Sequence, residues 1–121
     1  MGGYHIKGDL NKNRLNISLE GFMTDQEVKA AADLVIAEAK KLKPGFSVVN
    51  DVSTFSPATP QGTEEIKRAQ LFLAANGVGR VVRVVGEASI SAMQMQRKSR
   101  EAGYGADTVA SRAEAEKALG D

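Results

Sequence analysis

Between residues 4 and 42 the period of the apolar residues changes from two to about 3.6, and this change restricts the fold more than any other feature of the chain. Tyr4, Ile6 and Leu10 alternate with His5, Lys7 and Asp9, and Leu15, Ile17 and Leu19 alternate with Asn16, Ser18 and Glu20. Asn11-Lys12-Asn13 lies between the two runs and is built of residues that tolerate turn geometry. Successive strand side chains point to opposite faces, so the two runs are predicted to form a β-hairpin with one apolar and one polar face. Thr24-Asp25-Gln26-Glu27 follows as a capping box, in which the Thr24 hydroxyl accepts from the Glu27 amide and the Glu27 carboxylate accepts from the Thr24 amide. Val28, Ala32, Val35, Ala39 and Leu42 then fall on one stripe of the helix it opens, and Pro44-Gly45 stops that helix.

The strand-then-helix alternation continues to the end of the chain. Residues 46–52 form a short apolar strand ending in Asn50-Asp51, and 53–59 a loop. Thr59-Pro60 reads as an N-cap with proline in the first helical position. The helix it opens, running to about Asn76, carries Ile66, Ala69, Gln70 and Leu73 on one face. Residues 81–85 are a β-branched strand with Arg83 at its centre. A polar helix is expected over 91–102, a short strand over 107–110, and a last helix from a second capping box, Ser111 with Glu114, to Leu119. The order β-β-α-β-α-β-α-β-α predicts one α/β domain over residues 1–121: an N-terminal hairpin followed by three βα units in a mixed, mostly parallel sheet. A chain of 121 residues fits one such core and not two.

A sheet buried on both faces has strands that are apolar throughout, and these strands are not. His5, Lys7, Glu20 and Arg83 are therefore expected to share one open, water-facing side, with most helices on the other, because an unpaired buried arginine is costly. Such a face either keeps the domain soluble or serves for docking or self-association. A half-covered sheet with mixed charge also invites a two-fold homodimer.

Sixteen Lys and Arg stand against fifteen Asp and Glu, for a net charge of +1. That balance lacks the basic excess by which nucleic acid is bound through bulk charge. There is one histidine, His5, and no cysteine, which leaves neither a Cys/His nucleophile pair nor a zinc cage, so no enzyme, metal or cofactor is expected. No apolar run reaches the roughly 18 residues of a membrane span, and the first residues are too polar for a signal peptide. Together with the absence of cysteine, this makes a cytoplasmic protein without membrane insertion the expectation. Asp51, at the carboxyl end of a strand, is the best-placed acid, either for a ligand or for hydrogen bonds to the loop amides near Ser53 and Thr54. Ser53, Thr54, Ser56 and Thr59 form a hydroxyl-rich approach to a helix N-terminus, suited to a protein partner, to an anion or simply to capping. The 91–102 helix places Met93 and Met95 beside Arg97, Lys98 and Arg100, either as a contact surface or as an edge helix packed inward. Gly77-Val78-Gly79-Arg80 precedes a strand, whereas a nucleotide fingerprint follows one, so it reads as a helix stop.

The stretch Phe46-Ser47-Val48-Val49-Asn50-Asp51-Val52-Ser53-Thr54-Phe55, an apolar strand ending in Asp before a loop that opens a helix, resembles that of STAS-like domains, found in anti-sigma factor antagonists and at the ends of sulfate transporters. The likeness in element order covers nearly the whole chain. It implies a β-α superhelix and a regulatory, protein-binding role without catalysis. In the antagonist branch the loop carries Asp-Ser-Ser-Gly or Asp-Ser-Thr-Gly, and a kinase phosphorylates one serine to switch partner binding. The matching stretch here is Pro57-Ala58-Thr59-Pro60-Gln61-Gly62, in which only Thr59 keeps a hydroxyl and Gly62 stands for the later glycine. The resemblance thus implies Thr59 as the phosphoacceptor and Asp51, Ser53, Thr54, Ser56, Thr59 and Gly62 as the partner-binding loop. It points to a divergent bacterial branch. A related class of this superhelical fold binds lipids, which leaves a carrier or sensor of an anion or lipid near the strand ends as the alternative.

Overall fold

A computed structural model describes residues 2–56, 59–85 and 107–120. Its elements are β1 (Gly3–Asp9), β2 (Arg14–Gly21), α1 (Asp25–Ala39), β3 (Ser47–Phe55), α2 (Pro60–Ala75), β4 (Val81–Val84), β5 (Asp107–Val109) and α3 (Arg112–Ala118). The five strands form one sheet in the order β1-β2-β3-β4-β5. The β1–β2 pair is antiparallel and the other pairs are parallel, so the chain is an α/β protein with a mixed sheet, as its hydrophobic periods predict. The helix expected over 91–102 lies outside the described residues. No helix among the described residues is long and apolar enough to cross a membrane.

The local signals act where the sequence places them. In α1 the Glu27 amide donates to Thr24 Oγ1 at 3.2 Å and the Thr24 amide to Glu27 Oε1 at 2.9 Å, closing the capping box. In α3 the Glu114 amide donates to Ser111 Oγ at 3.2 Å, but Glu114 Oε2 accepts from the Ala110 amide at 3.0 Å, so the reciprocal half of that box sits one residue earlier than expected. Asn13, with φ of 49°, turns the hairpin in the left-handed region that asparagine tolerates. Leu10 falls in that turn beyond β1 and is 66% exposed, which corrects its expected place on the apolar side of the strand.

The main core lies under α1 and α2. Leu15, Ile17 and Leu19 of β2 and Val48 and Val52 of β3 meet Val28, Ala32 and Val35 of α1 and Ala69 and Leu73 of α2. A second, smaller core lies on the opposite face, where Val49, Val82 and Val84 pack against Ala115 of α3. This overturns the expectation of a sheet left open along one whole side. Arg83 is the residue most affected. Its partner in the ladder is Asn50, and Val81 pairs with Val48, so Arg83 shares the face of the main core and is 0% exposed. The alternation within 81–84 holds, but which of its two sides faces the main helix layer depends on the register with β3, which the strand's own sequence does not state.

The open face is therefore confined to the hairpin and the adjoining carboxyl end of β3. His5, Lys7 and Glu20 are exposed there, with His5 Nε2 3.6 Å from Glu20 Oε1. It stops at the lower end of β2, where Arg14 is buried and its Nε donates to Ser47 Oγ at 3.2 Å.

The helices are tied to each other and to the sheet edge by charge. Arg68 of α2 reaches Asp33 of α1 at 2.7 Å and Glu65 at 2.7 Å, and these partners hold its guanidinium above its usual range. Lys40 Nζ lies 5.9 Å from the centre of the Phe72 ring. Glu38, near the end of α1, accepts from Lys41 Nζ at 2.6 Å and from the Gly8 amide of edge strand β1 at 3.0 Å. These bonds, the Lys41 contact first, hold the Glu38 carboxyl below the usual glutamate range.

A depressed folded value means that folding favours the ionised carboxylate, so its stabilisation is complete above the unfolded value of about 4.3 and disappears as pH falls through the lowered one. We expect Glu38→Gln to be less stable than the parent at neutral pH and to lose less stability on acidification below about pH 4.3. Urea midpoints measured against pH for both proteins check this; parallel curves would rule it out. At the lower end of the sheet a Cβ on Gly79 would stand 2.7 Å from the Gly45 carbonyl oxygen. Gly79→Ala should consequently cost about 1–3 kcal/mol, read as a lower midpoint at unchanged m-value.

Candidate functional site

The residues singled out by sequence lie near the carboxyl ends of β2 and β3, but the sheet divides them. β3 runs to Phe55, so Ser53 and Thr54 are strand residues rather than loop. Its register with β2 shifts between Ser18, which pairs with Asp51, and Glu20, which pairs with Thr54. One extra residue on β3 is accommodated there, as in a β-bulge. Asp51 and Thr54 are thereby placed beside Ser18 and Glu20 on the open face, while Val52 and Phe55 join the main core.

Asp51 spends its first oxygen locally: Oδ1 accepts from the Ser53 amide at 3.1 Å and from Ser53 Oγ at 2.7 Å. Its Oδ2 lies 3.9 Å from Arg112 at the start of α3. Asp51 thus makes hydrogen bonds to its own segment, as one of its two readings expects. The Ser56 amide donates to the Gly21 carbonyl at 3.0 Å and continues the ladder past the strand end.

Thr59 and Gly62 belong to the helix layer across the sheet. The Thr59 hydroxyl accepts from the Gly62 amide at 3.0 Å as the N-cap of α2, and it donates to Asp25 Oδ1 at the start of α1. Thr63 Oγ1 in turn donates to the Thr59 carbonyl at 2.5 Å. Gly62 is buried and Thr59 half-buried. Pro57 and Ala58 lie outside the described residues.

The two helix starts are thus joined by one side-chain bond, and Phe22, 55% exposed, stands at the same end between β2 and the Thr24 cap. Sequence reasoning passes over Phe22 and takes Asp25 only as part of the capping box. The available signal was an aromatic residue set just outside a capping box, where no strand or helix stripe needs it.

A cavity of about 50 Å³ lies between the sheet and the two long helices, lined by Ile17, Met23, Val35, Ile66 and the amides of Asn50 and Gln70 among others. It is on the main-core face, away from the Asp51 carboxylate. Its volume is on the scale of a water molecule, about 30 Å³ in the liquid. It is far below the roughly 300–1,000 Å³ of a pocket that takes a drug-sized ligand. Among the described residues no three His, Cys, Asp or Glu side chains converge as a metal site would require.

Thr59→Ala removes both the cap and the tie to Asp25 and should destabilise the domain by about 1 kcal/mol, with Thr59→Ser close to the parent; equal midpoints for all three proteins in denaturant titration would show that the joined helix starts contribute nothing. In comparison with known proteins, no family model matches the chain and no curated protein is similar to it at a significant level.

Proposed function

We propose that this chain is a non-enzymatic regulatory module of STAS-like type that binds a protein partner through the end of the domain where α1 and α2 begin. The observation that supports this reading best is the bond from the Thr59 hydroxyl to the Asp25 carboxylate, with exposed Phe22 three residues before Asp25 in the chain. An exposed aromatic side chain supplies contact area, and the paired helix starts supply amides and a carboxylate that fix orientation. The order of two antiparallel strands followed by parallel βα units also accords with the resemblance.

Thr59 is the natural point of regulation in this reading. A phosphate there removes the hydroxyl donor and sets close to two negative charges against Asp25. It also offers acceptor oxygens to the first amides of α2, which favour an anion. The result is a changed relation between the two helix starts without loss of the core.

The test is affinity capture from the native cell with the parent, Phe22→Ala and Thr59→Glu proteins as baits, read by quantitative mass spectrometry, with circular dichroism to show that each bait is folded. A partner enriched by the parent should fall several-fold with Phe22→Ala and change in amount with Thr59→Glu. The same proteins at the same levels on all three folded baits would refute this site.

A further inference from the structure

The net charge of +1 conceals an uneven distribution. Among the described residues, the end of the domain that carries Phe22 also carries the carboxylates of Glu20, Asp25 and Glu27, on the segments just before and after it. The opposite end holds the hairpin turn and the end of α1. There Lys7, Lys12, Lys40, Lys41 and Lys43 outnumber Asp9 and Glu38. These lysines come from two separate segments that the fold joins. Asn13 Nδ2 donates to the Lys43 carbonyl at 3.1 Å, the Lys43 amide donates to Asn13 Oδ1 at 2.8 Å, and Glu38 links the Gly8 amide to Lys41.

Helix dipoles reduce this separation without removing it. The starts of α1 and α2 bring about one positive charge to the acidic end, and their far ends about one negative charge to the basic end. The difference in sign between the two ends remains, and buried Arg14, opposite Asp9, adds to the positive one. Each end also carries an exposed apolar residue, Phe22 at 55% and Leu10 at 66%. Beside Leu10 lies an open recess of about 430 Å³, lined by Lys7, Gly8, Asp9, Leu10, Asn11 and Asn16.

We propose that the basic end is a docking site for a second copy of this chain, which enters with its acidic end, Phe22 seated in the recess beside Leu10 and its carboxylates facing the lysines. The contact joins two different surfaces, so it is heterologous and propagates head to tail instead of closing as a two-fold dimer. A net charge near zero leaves little long-range repulsion to oppose it. The inference goes beyond the partner reading and stands without it, but the two are linked: a Phe22 occupied by a neighbouring copy is unavailable to another partner, so assembly competes with partner binding.

Sedimentation velocity of the parent protein at rising concentration should show the mean mass climbing past that of a dimer at low salt and falling back as salt is added, since exposed charge contacts are screened. Two double variants separate the ends: Leu10→Ser with Lys43→Glu on the basic end, and Phe22→Ser with Glu20→Lys on the acidic end. Each alone should associate at least about tenfold more weakly than the parent. Mixed in equal amounts, each supplies the end that the other lacks, and the mixture should form dimers and nothing larger. Circular dichroism establishes that both variants fold; these are exposed positions, and the single variants Lys43→Glu and Glu20→Lys replace any double variant that does not. A parent that stays monomeric or stops at a dimer overturns the proposal, as does a mixture that does not associate. Binding of the parent to vesicles containing phosphatidylglycerol, without growth in mass in their absence, would assign the basic end to an anionic surface and overturn it equally.

Discussion

β4 and the first half of β3 bury both of their faces, and the rest of the architecture follows from that. Val48 and Val81 point into the core beneath α1 and α2, while Val49, Val82 and Val84 point into the smaller core beneath α3. Parallel strands are connected by crossovers, and helices over both faces are the usual way to keep such strands dry. The hairpin is under no such constraint. Its antiparallel pair needs cover on one side only, so His5, Lys7 and Glu20 remain in water while Leu15, Ile17 and Leu19 are buried. The sheet is thus sealed at its centre and wet at one flank.

This division explains why the residues expected to form one loop site are spread over two surfaces. The bulge in β3 lets Asp51 and Thr54 lie with the hairpin's polar face and still returns Phe55 to the core. Thr59 then begins a helix on the other side, and its closest functional neighbour is Asp25, 34 residues away in the chain. The end of the domain where two helices start, joined by that bond, also carries Phe22, an aromatic residue that neither core absorbs.

The same geometry sorts charge. α1 and α2 run in the same sense, each following a parallel strand, so their starts gather at one end and α1 finishes at the other. In α1 an acidic first turn and lysines after the last turn suit the helix dipole. The lysines after α1 meet those of the hairpin, so a nearly neutral chain carries more positive charge at that end than at the end where α1 starts.

Elements set by neighbours a few residues apart were legible in the sequence. The capping boxes, the buried stripe of α1, the buried face of α2 at Ala69, Gln70 and Leu73, and the two-period hairpin depend on contacts within one turn or one strand, which residue order states directly. What only the tertiary structure decided is register and facing. The alternation in 81–84 shows that Arg83 and its valine neighbours point opposite ways, but only pairing with Asn50 assigns Arg83 to the interior. The extension of β3, the Asp25–Thr59 bond and the approach of the lysines after α1 to the hairpin turn have the same origin. Each joins segments roughly 30 or more residues apart, and period or propensity within a short window carries no information on which distant segment a face will meet.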